Sequence, residues 1–133
     1  MFYAGWDHRL MSEARTVAAS PPKVLTGAVH LRAPEVDDWE VEQQLSRDPE
    51  VVKWTYYPCD MDEHQSRQRI AESRARADVG LVQRYVILDL TGQRLGTCGI
   101  GRLPSEAPEV FYALLPTARG RGAATEATRL LTT

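Results

Sequence analysis

The hydrophobic pattern of the chain changes period twice. From Lys23 to Pro34, "KVLTGAVHLRAP", Leu25, Val29 and Leu31 sit at alternating positions with Gly27. That spacing predicts one strand with an apolar face, closed by Pro34. Residues 35–54, "EVDDWEVEQQLSRDPEVVKW", then read as helix. Asp37 and Glu40 have capping-box spacing at its start. Asp48-Pro49 reads as a fresh N-cap with proline at the first helical position, opening a second short turn through Trp54. After the aromatic loop "TYYPCD", a long helix is predicted from Asp60, with Asp60 and Glu63 at capping-box spacing and Gly80 as its terminator.

The period then drops to two. "LVQRYVILDL" reads as a strand, "TGQ" as a hairpin turn and "RLGTCGIGRL" as the returning strand. Gly96, Gly99 and Gly101 weaken that strand, so they predict a bulge or a close approach of another backbone. The polar loop "PSEAP" leads to a fourth strand, "EVFYALLP". The loop "TARGRG" and a helix, "AATEATRLLTT", complete the chain. The order is mixed α/β with an antiparallel meander in the middle. A strand followed by a helix leads one to expect a parallel strand next, and the sequence stops before one. Its last helix shows no glycine or proline stop signal, and its final carbonyls are expected to be uncapped.

Composition narrows the picture. The chain has 133 residues and a formal charge of -2, which fits one domain and gives no overall attraction to nucleic acid or an anionic membrane. Arg67, Arg69, Arg74 and Arg76 alternate with Asp62, Glu63, Glu72 and Asp78, as on a solvated helix face rather than a nucleic-acid patch. No apolar run approaches the roughly 20 residues of a membrane span. The N-terminus lacks the unbroken apolar stretch of a signal peptide, so residues 1–22 are expected to be a flexible extension of a cytoplasmic protein whose domain covers 23–133. Cys59 and Cys98 are expected as free thiols. His8, His30 and His64 are far apart and match no metal-ligand spacing.

The chemistry concentrates in "ARGRGAAT", residues 118–125. A loop entering a helix leaves the first helical amides without internal partners, and the helix dipole adds positive charge there. Phosphate or pyrophosphate suits such a place. Gly120, Gly122, Ala123 and Ala124 let a ligand approach the backbone, while Arg119 and Arg121 add charge. Neither G-x-x-x-x-G-K-[ST] nor a dinucleotide-binding G-x-G-x-x-G is present. A glycine turn with solvent-exposed arginines is the alternative reading of the same residues.

Arg119 to Ala124 resembles the R/Q-x-x-G-x-G/A signature of the GNAT superfamily of acetyl-CoA-dependent N-acyltransferases. Its setting, "EVFYALLPTARGRGAATEATRLL", is similar to that family's fourth strand, pyrophosphate loop and third helix, in the branch that acetylates the N-termini of ribosomal proteins. The segments "LRAPEVDDWEVEQQLSRDPEVVKW" and "YVILDLTGQRLGTCGIGRL" resemble the family's first strand and helix and its second and third strands. The resemblance implies a GNAT-like, mostly antiparallel sheet with flanking helices, lacking the family's C-terminal strands and fourth helix, and hence a truncated enzyme.

Several roles follow from the likeness. Acetyl-CoA would be co-substrate, with no metal. The amides of Arg119, Gly120, Arg121, Gly122, Ala123, Ala124 and Thr125 would hold its pyrophosphate. The backbone of Tyr112, Ala113, Leu114 and Leu115 would pair with the pantetheine arm. Glu109, heading the fourth strand, would be the general base, or else a solvated strand-end carboxylate. Trp54, Tyr56 and Tyr57 would border the amine acceptor, or else pack the helix end and loop. The acceptor is a peptide N-terminus or a small-molecule amine, with no nucleic acid or membrane as partner. The missing elements imply an exposed edge on the fourth strand, open to self-association, and incomplete cover over Leu114, Leu130 and Leu131. A non-catalytic coenzyme A- or protein-binding module is the alternative function.

Overall fold

Gly27 and Ala28 break the predicted first strand in two. The computed structural model describes residues 24–55, 57–78, 80, 82–101 and 109–132, so the expected extension over 1–22 lies outside the described residues. Within them, β1 (Val24–Thr26) and β2 (His30–Arg32) form an antiparallel hairpin with Thr26 opposite His30. A Cβ on Gly27 would lie 2.9 Å from side-chain atoms of both Arg129 and Glu126. Glycine there leaves room for the side chains of the last helix. The alternation of Leu25, Val29 and Leu31 does not reveal the turn, because Leu25 and Leu31 end as register partners.

The helical region comes in pieces. A 3-10 turn (Val36–Asp38) leads into α1 (Trp39–Ser46), followed by α2 (Pro49–Trp54). The cap of the first turn is not the expected Asp37–Glu40 pair. Asp38 is the residue that reaches back, accepting the Glu35 amide at 2.7 Å. Its carboxylate also takes Arg32 through both oxygens, at 2.8 and 2.9 Å, and Arg94 at 2.6 Å. At α2 the expectation holds, with Asp48 accepting the Glu50 amide at 3.0 Å and proline at the first position.

The cap of α3 (Glu63–Asp78) lies two residues later than predicted. Asp62 and Gln65 cap each other reciprocally, at 2.9 and 2.7 Å. Asp60 is unavailable for that role. It sits at φ 53° and pairs with Arg47 at 2.9 Å. Gly80 ends the segment as expected, its amide on the Ala77 carbonyl.

β3 (Val82–Leu88), β4 (Arg94–Gly101) and β5 (Glu109–Leu114) complete a sheet ordered β1-β2-β3-β4-β5, antiparallel throughout. The β3–β4 register slips where Ile87 faces Gly96 but Leu88 faces Arg94. The extra residue, Leu95, is a bulge that reverses the in-out alternation. It places Leu95 in the same buried cluster as Cys98 and Ile100. Gly96 is also where β5 approaches closely, since a Cβ there would lie 2.1 Å from the Ala113 carbonyl oxygen.

A 3-10 turn (Pro116–Ala118) and α4 (Ala123–Leu131) follow β5. α4 covers one face of the sheet, burying Ala123, Ala127, Leu130 and Leu131 against Leu31, Ile87, Ile100 and Tyr112. The other face carries α1 to α3, with Val41, Leu45, Val51, Tyr57 and Met61 meeting Ala113. Two expectations are corrected here. Leu114, Leu130 and Leu131 are buried, at 2%, 5% and 0% exposure, in one cluster with the sheet and α4. The last turn of α4 is partly capped as well, the Thr132 hydroxyl donating to the Arg129 carbonyl at 3.2 Å.

Asp38 ties β2, the first turn and β4 together, and its titration is readable. Burial pushes its carboxyl up, but the bonds from Arg32, the Glu35 amide and Arg94 outweigh that and hold it below its ordinary value. A depressed folded pKa gives stability that is complete above the unfolded value of about 3.9 and declines as pH falls through the folded value. Urea unfolding between pH 7 and 3 should show Asp38→Asn losing most stability at neutral pH and converging on the wild type at the acid end. A constant difference across that range would contradict the assignment.

Candidate functional site

The loop after β5 is shaped by its glycines. Gly120 and Gly122 take φ of 77° and 74°, and a Cβ on either would meet nothing within 4 Å. Left-handed backbone at two positions so close together favours glycine and turns successive amides to one side. Gly122 caps α4, and the first ladder bond runs from the Glu126 amide to the Gly122 carbonyl at 3.0 Å. The amides of Ala123, Ala124 and Thr125 therefore precede the helical ladder and point out of the helix end. The acidic residue of that first turn is directed elsewhere, for Glu126 pairs with Arg129 beside Gly27.

The two loop arginines differ. Arg121 is exposed and faces the β3–β4 hairpin. Asp89 there is held below its ordinary pKa, first by the Thr91 hydroxyl, then by the Gln93 amide, with the Arg121 charge a smaller contributor. Arg119 is committed to the protein. Its Nη2 donates to Asp48 Oδ2 at 2.5 Å and to the Leu114 carbonyl at 3.1 Å.

β5 lies at the edge of the sheet among the described residues. The Leu115 amide donates to the Leu95 carbonyl at 2.9 Å, so that pair is hydrogen-bonded across the strands. Antiparallel alternation then turns the peptide groups of Val110, Tyr112 and Leu114 away from β4. Arg119 covers one of these groups, the Leu114 carbonyl. The side chains of Tyr112 and Leu114 go into the α4 face and that of Ala113 into the opposite one; what these positions offer a ligand is backbone. Burial raises the Tyr112 phenol.

Glu109 heads β5, half-buried and opposite Gly101, at the end of the strand away from the loop. Trp54 ends α2 with 54% exposure, its indole donating to Glu50 at 3.2 Å and Lys53 over its ring. Tyr56 lies outside the described residues. Tyr57 is buried and is part of a charged cluster.

The composition of that cluster is not legible from local patterns. Glu42, 1% exposed, pairs with Arg84 at 3.1 Å and with Arg69 at 3.3 Å. Arg84 also donates to the Tyr57 hydroxyl at 2.7 Å and the Ser73 hydroxyl at 3.0 Å. Tyr57 and Thr97 share a 2.6 Å hydrogen bond, and Arg69 lies 4.4 Å over the Tyr57 ring. Burial pushes the Tyr57 phenol up to about 12. Arg84 stays charged despite its burial, because the Glu42 carboxylate beside it raises its pKa. Thr97 is the register partner of Ala113, so Tyr57 touches the sheet behind the middle of β5. Arg69 departs from the solvated face expected of its helix, whereas Arg67 follows it, paired with Glu63 at 2.9 Å. The available signal was Arg84, a lone charge inside an apolar strand.

A cleft of about 750 Å³ opens between α1, the start of α2 and the turn after β5, lined among others by Val41, Gln44, Asp48, Gln93, Leu115 and Thr117. Neither Trp54, Tyr57 nor Glu109 is among its lining residues. Cys59 is exposed and Cys98 buried, both as free thiols. Among the described residues no group of His, Cys, Asp and Glu is placed to hold a metal ion, and no helix is long and apolar enough to cross a membrane.

Residues 28–133 match the family model described as an acetyltransferase (GNAT) domain. No curated protein matches the chain. Solved structures share its fold. A GNAT-family acetyltransferase from Bacillus anthracis superposes with a TM-score of 0.66 at 16% identity, over 80% of this chain and 62% of that one. A Salmonella typhimurium acetyl transferase that modifies the N-terminal serine of a 50S ribosomal subunit protein gives 0.63 at 15% identity, over 80% and 62%. Mycobacterium smegmatis RimJ, solved with a coenzyme A disulfide, gives 0.57 at 20% identity, over 81% and 56%. The chain thus spans about 62% of the length of the first two.

The buried cluster yields a stability prediction. Glu42→Ala leaves two arginines facing each other without their carboxylate and should cost about 3–5 kcal/mol in urea unfolding. Glu42→Leu combined with Arg84→Met should recover most of that loss, since a buried ion pair is often replaceable by apolar side chains. A single variant within about 1 kcal/mol of wild type would show that the cluster is not a coupled unit.

Proposed function

The chain belongs to the GNAT acetyltransferase family, and from that premise we propose that it transfers an acetyl group from acetyl-CoA to a primary amine, on a protein N-terminus or a small molecule. The observation that carries the reading is the loop. Left-handed Gly120 and Gly122 leave open space before the helix end of α4, where unbonded amides and the Arg121 charge favour an anion. The residues fit a pyrophosphate, and the outward peptide groups of Tyr112 and Leu114 lead from it along the β5 edge. The Arg119 guanidinium is engaged with Asp48 and its amide with the Pro116 carbonyl, so the donors for the anion are the amides that follow it.

Acetyl-CoA, when bound, supplies a thioester reactive toward amines. The chain's part is to orient it and to move protons. Amide groups of the loop and of β5 hold the ligand extended along the strand edge. An outward-facing amide of β5 is the donor available to the oxyanion that develops during transfer. Glu109, at the far end of β5 from the loop, is the proposed base. It accepts the proton that the amine must lose before attack, directly or through one water. Trp54 is the exposed aromatic available to an acceptor on the helical side. Tyr57, buried in the Glu42–Arg84 cluster, supports the sheet behind β5 in this reading. A ribosomal-protein N-terminus as acceptor draws on the likeness to the Salmonella typhimurium structure.

Calorimetric titration with acetyl-CoA tests the reading. Wild-type protein should give saturable heat that coenzyme A competes away. Gly122→Val should weaken binding at least about tenfold, because a β-branched residue is strained at positive φ and its methyl groups fill the open space. No heat and no competition would overturn the proposal. Binding without thiol release, in the presence of amine acceptors, would keep the coenzyme site and remove the transferase.

A further inference from the structure

The Arg119 side chain spans three parts of the molecule. Its Nη2 joins the carboxylate of Asp48 to the outward carbonyl of Leu114. The other oxygen of Asp48 holds the Glu50 amide and caps α2. Both side chains are largely buried, at 10% exposure for Asp48 and 23% for Arg119. Arg119 immediately precedes left-handed Gly120 and closes the 3-10 turn, its amide reaching the Pro116 carbonyl. The loop is therefore anchored at one end by α4 and at the other by a residue 71 positions earlier in the chain.

We propose that Asp48 is a positioning residue for the anion loop. It acts through Arg119 to fix the turn from which Gly120 and Gly122 aim their amides. This inference rests on the function proposed above and assigns a role to a residue that forms no part of the loop. It has two physical consequences. Pairing with Asp48 neutralises Arg119, which leaves Arg121 as the exposed cation beside the loop amides. Arg119 also occupies the Leu114 carbonyl, which leaves the amide as the group that Leu114 offers a ligand. The latch crosses from the helical layer to the sheet edge and lies on the wall of the 750 Å³ cleft through Asp48. A group that enters the cleft meets the residue that holds the loop.

A double-mutant cycle in coenzyme A affinity, paired with amide hydrogen exchange on ligand-free protein, tests the latch. Asp48→Asn keeps an oxygen for the Glu50 amide, so α2 remains capped. Asp48→Asn and Arg119→Gln should each raise the Kd for coenzyme A about tenfold. The double variant should be no worse than either single one, since both break one interaction. In the ligand-free Asp48→Asn protein the Ala118 and Glu126 amides should exchange about tenfold faster, with those of β3 unchanged. Tighter or unchanged coenzyme binding in Asp48→Asn would overturn the latch and make Arg119 a direct phosphate ligand that Asp48 restrains. Additive losses, or unchanged loop exchange, would overturn it as well. If the wild type binds no coenzyme A while Asp48→Asn still speeds loop exchange, the proposed function fails and the latch stands.

Discussion

Every backbone amide and carbonyl must find a partner or face water, and in this fold that requirement converges on one place. β5 turns the peptide groups of alternate residues away from the sheet, and α4 begins with amides that no helical carbonyl can reach. Only a short 3-10 turn and two left-handed glycines separate these two sets of groups, and Arg119 takes just the Leu114 carbonyl among them. The rest of the structure holds that junction still. The α4 face is packed with small residues, Ala123 and Ala127, so that the helix end lies close to the sheet. The opposite face is braced by α1 to α3.

That bracing is partly ionic. Asp38 gathers Arg32 and Arg94, Glu42 gathers Arg69 and Arg84, and Asp48 takes Arg119. Each carboxylate belongs to the segment between β2 and α2, and its partners lie on β2, α3, β4, β3 and the loop. A small domain with short helices has limited apolar area to bury. Charged contacts of fixed geometry can specify how its layers align, at little net gain in stability. Their geometry matters most at Asp48, where the partner belongs to the candidate site.

The sequence was informative where a local rule decides the outcome. Asp48-Pro49 marked the start of α2, Gly80 ended the α3 segment, and the glycines of β4 announced the bulge at Leu95. The small residues and arginines of 118–125 located the loop. It was less informative where competing partners decide. Asp37 and Asp60 have capping-box spacing, yet Asp38 and Asp62 do the capping, because long-range arginines and a left-handed backbone redistribute these carboxylates. Period-two alternation from Leu25 to Leu31 survives a tight reversal, which hid the β1–β2 hairpin. Tyr57 reads locally as an acceptor-site or loop-packing residue, and Arg69 as part of a solvated helix face. Only the fold brings them to Glu42, and no spacing rule connects Arg119 to Asp48.

In the function proposed, the β5 edge and the α4 end form one continuous backbone site for an extended anionic ligand. Amide-resolved NMR titration with coenzyme A tests it directly. Shifts should concentrate at Gly120, Gly122 and Ala123 to Thr125 and continue to Tyr112 and Leu114, with the amides of α3 unmoved. Shifts centred on α3 or on the β1–β2 hairpin, or none at saturating coenzyme A, would contradict it.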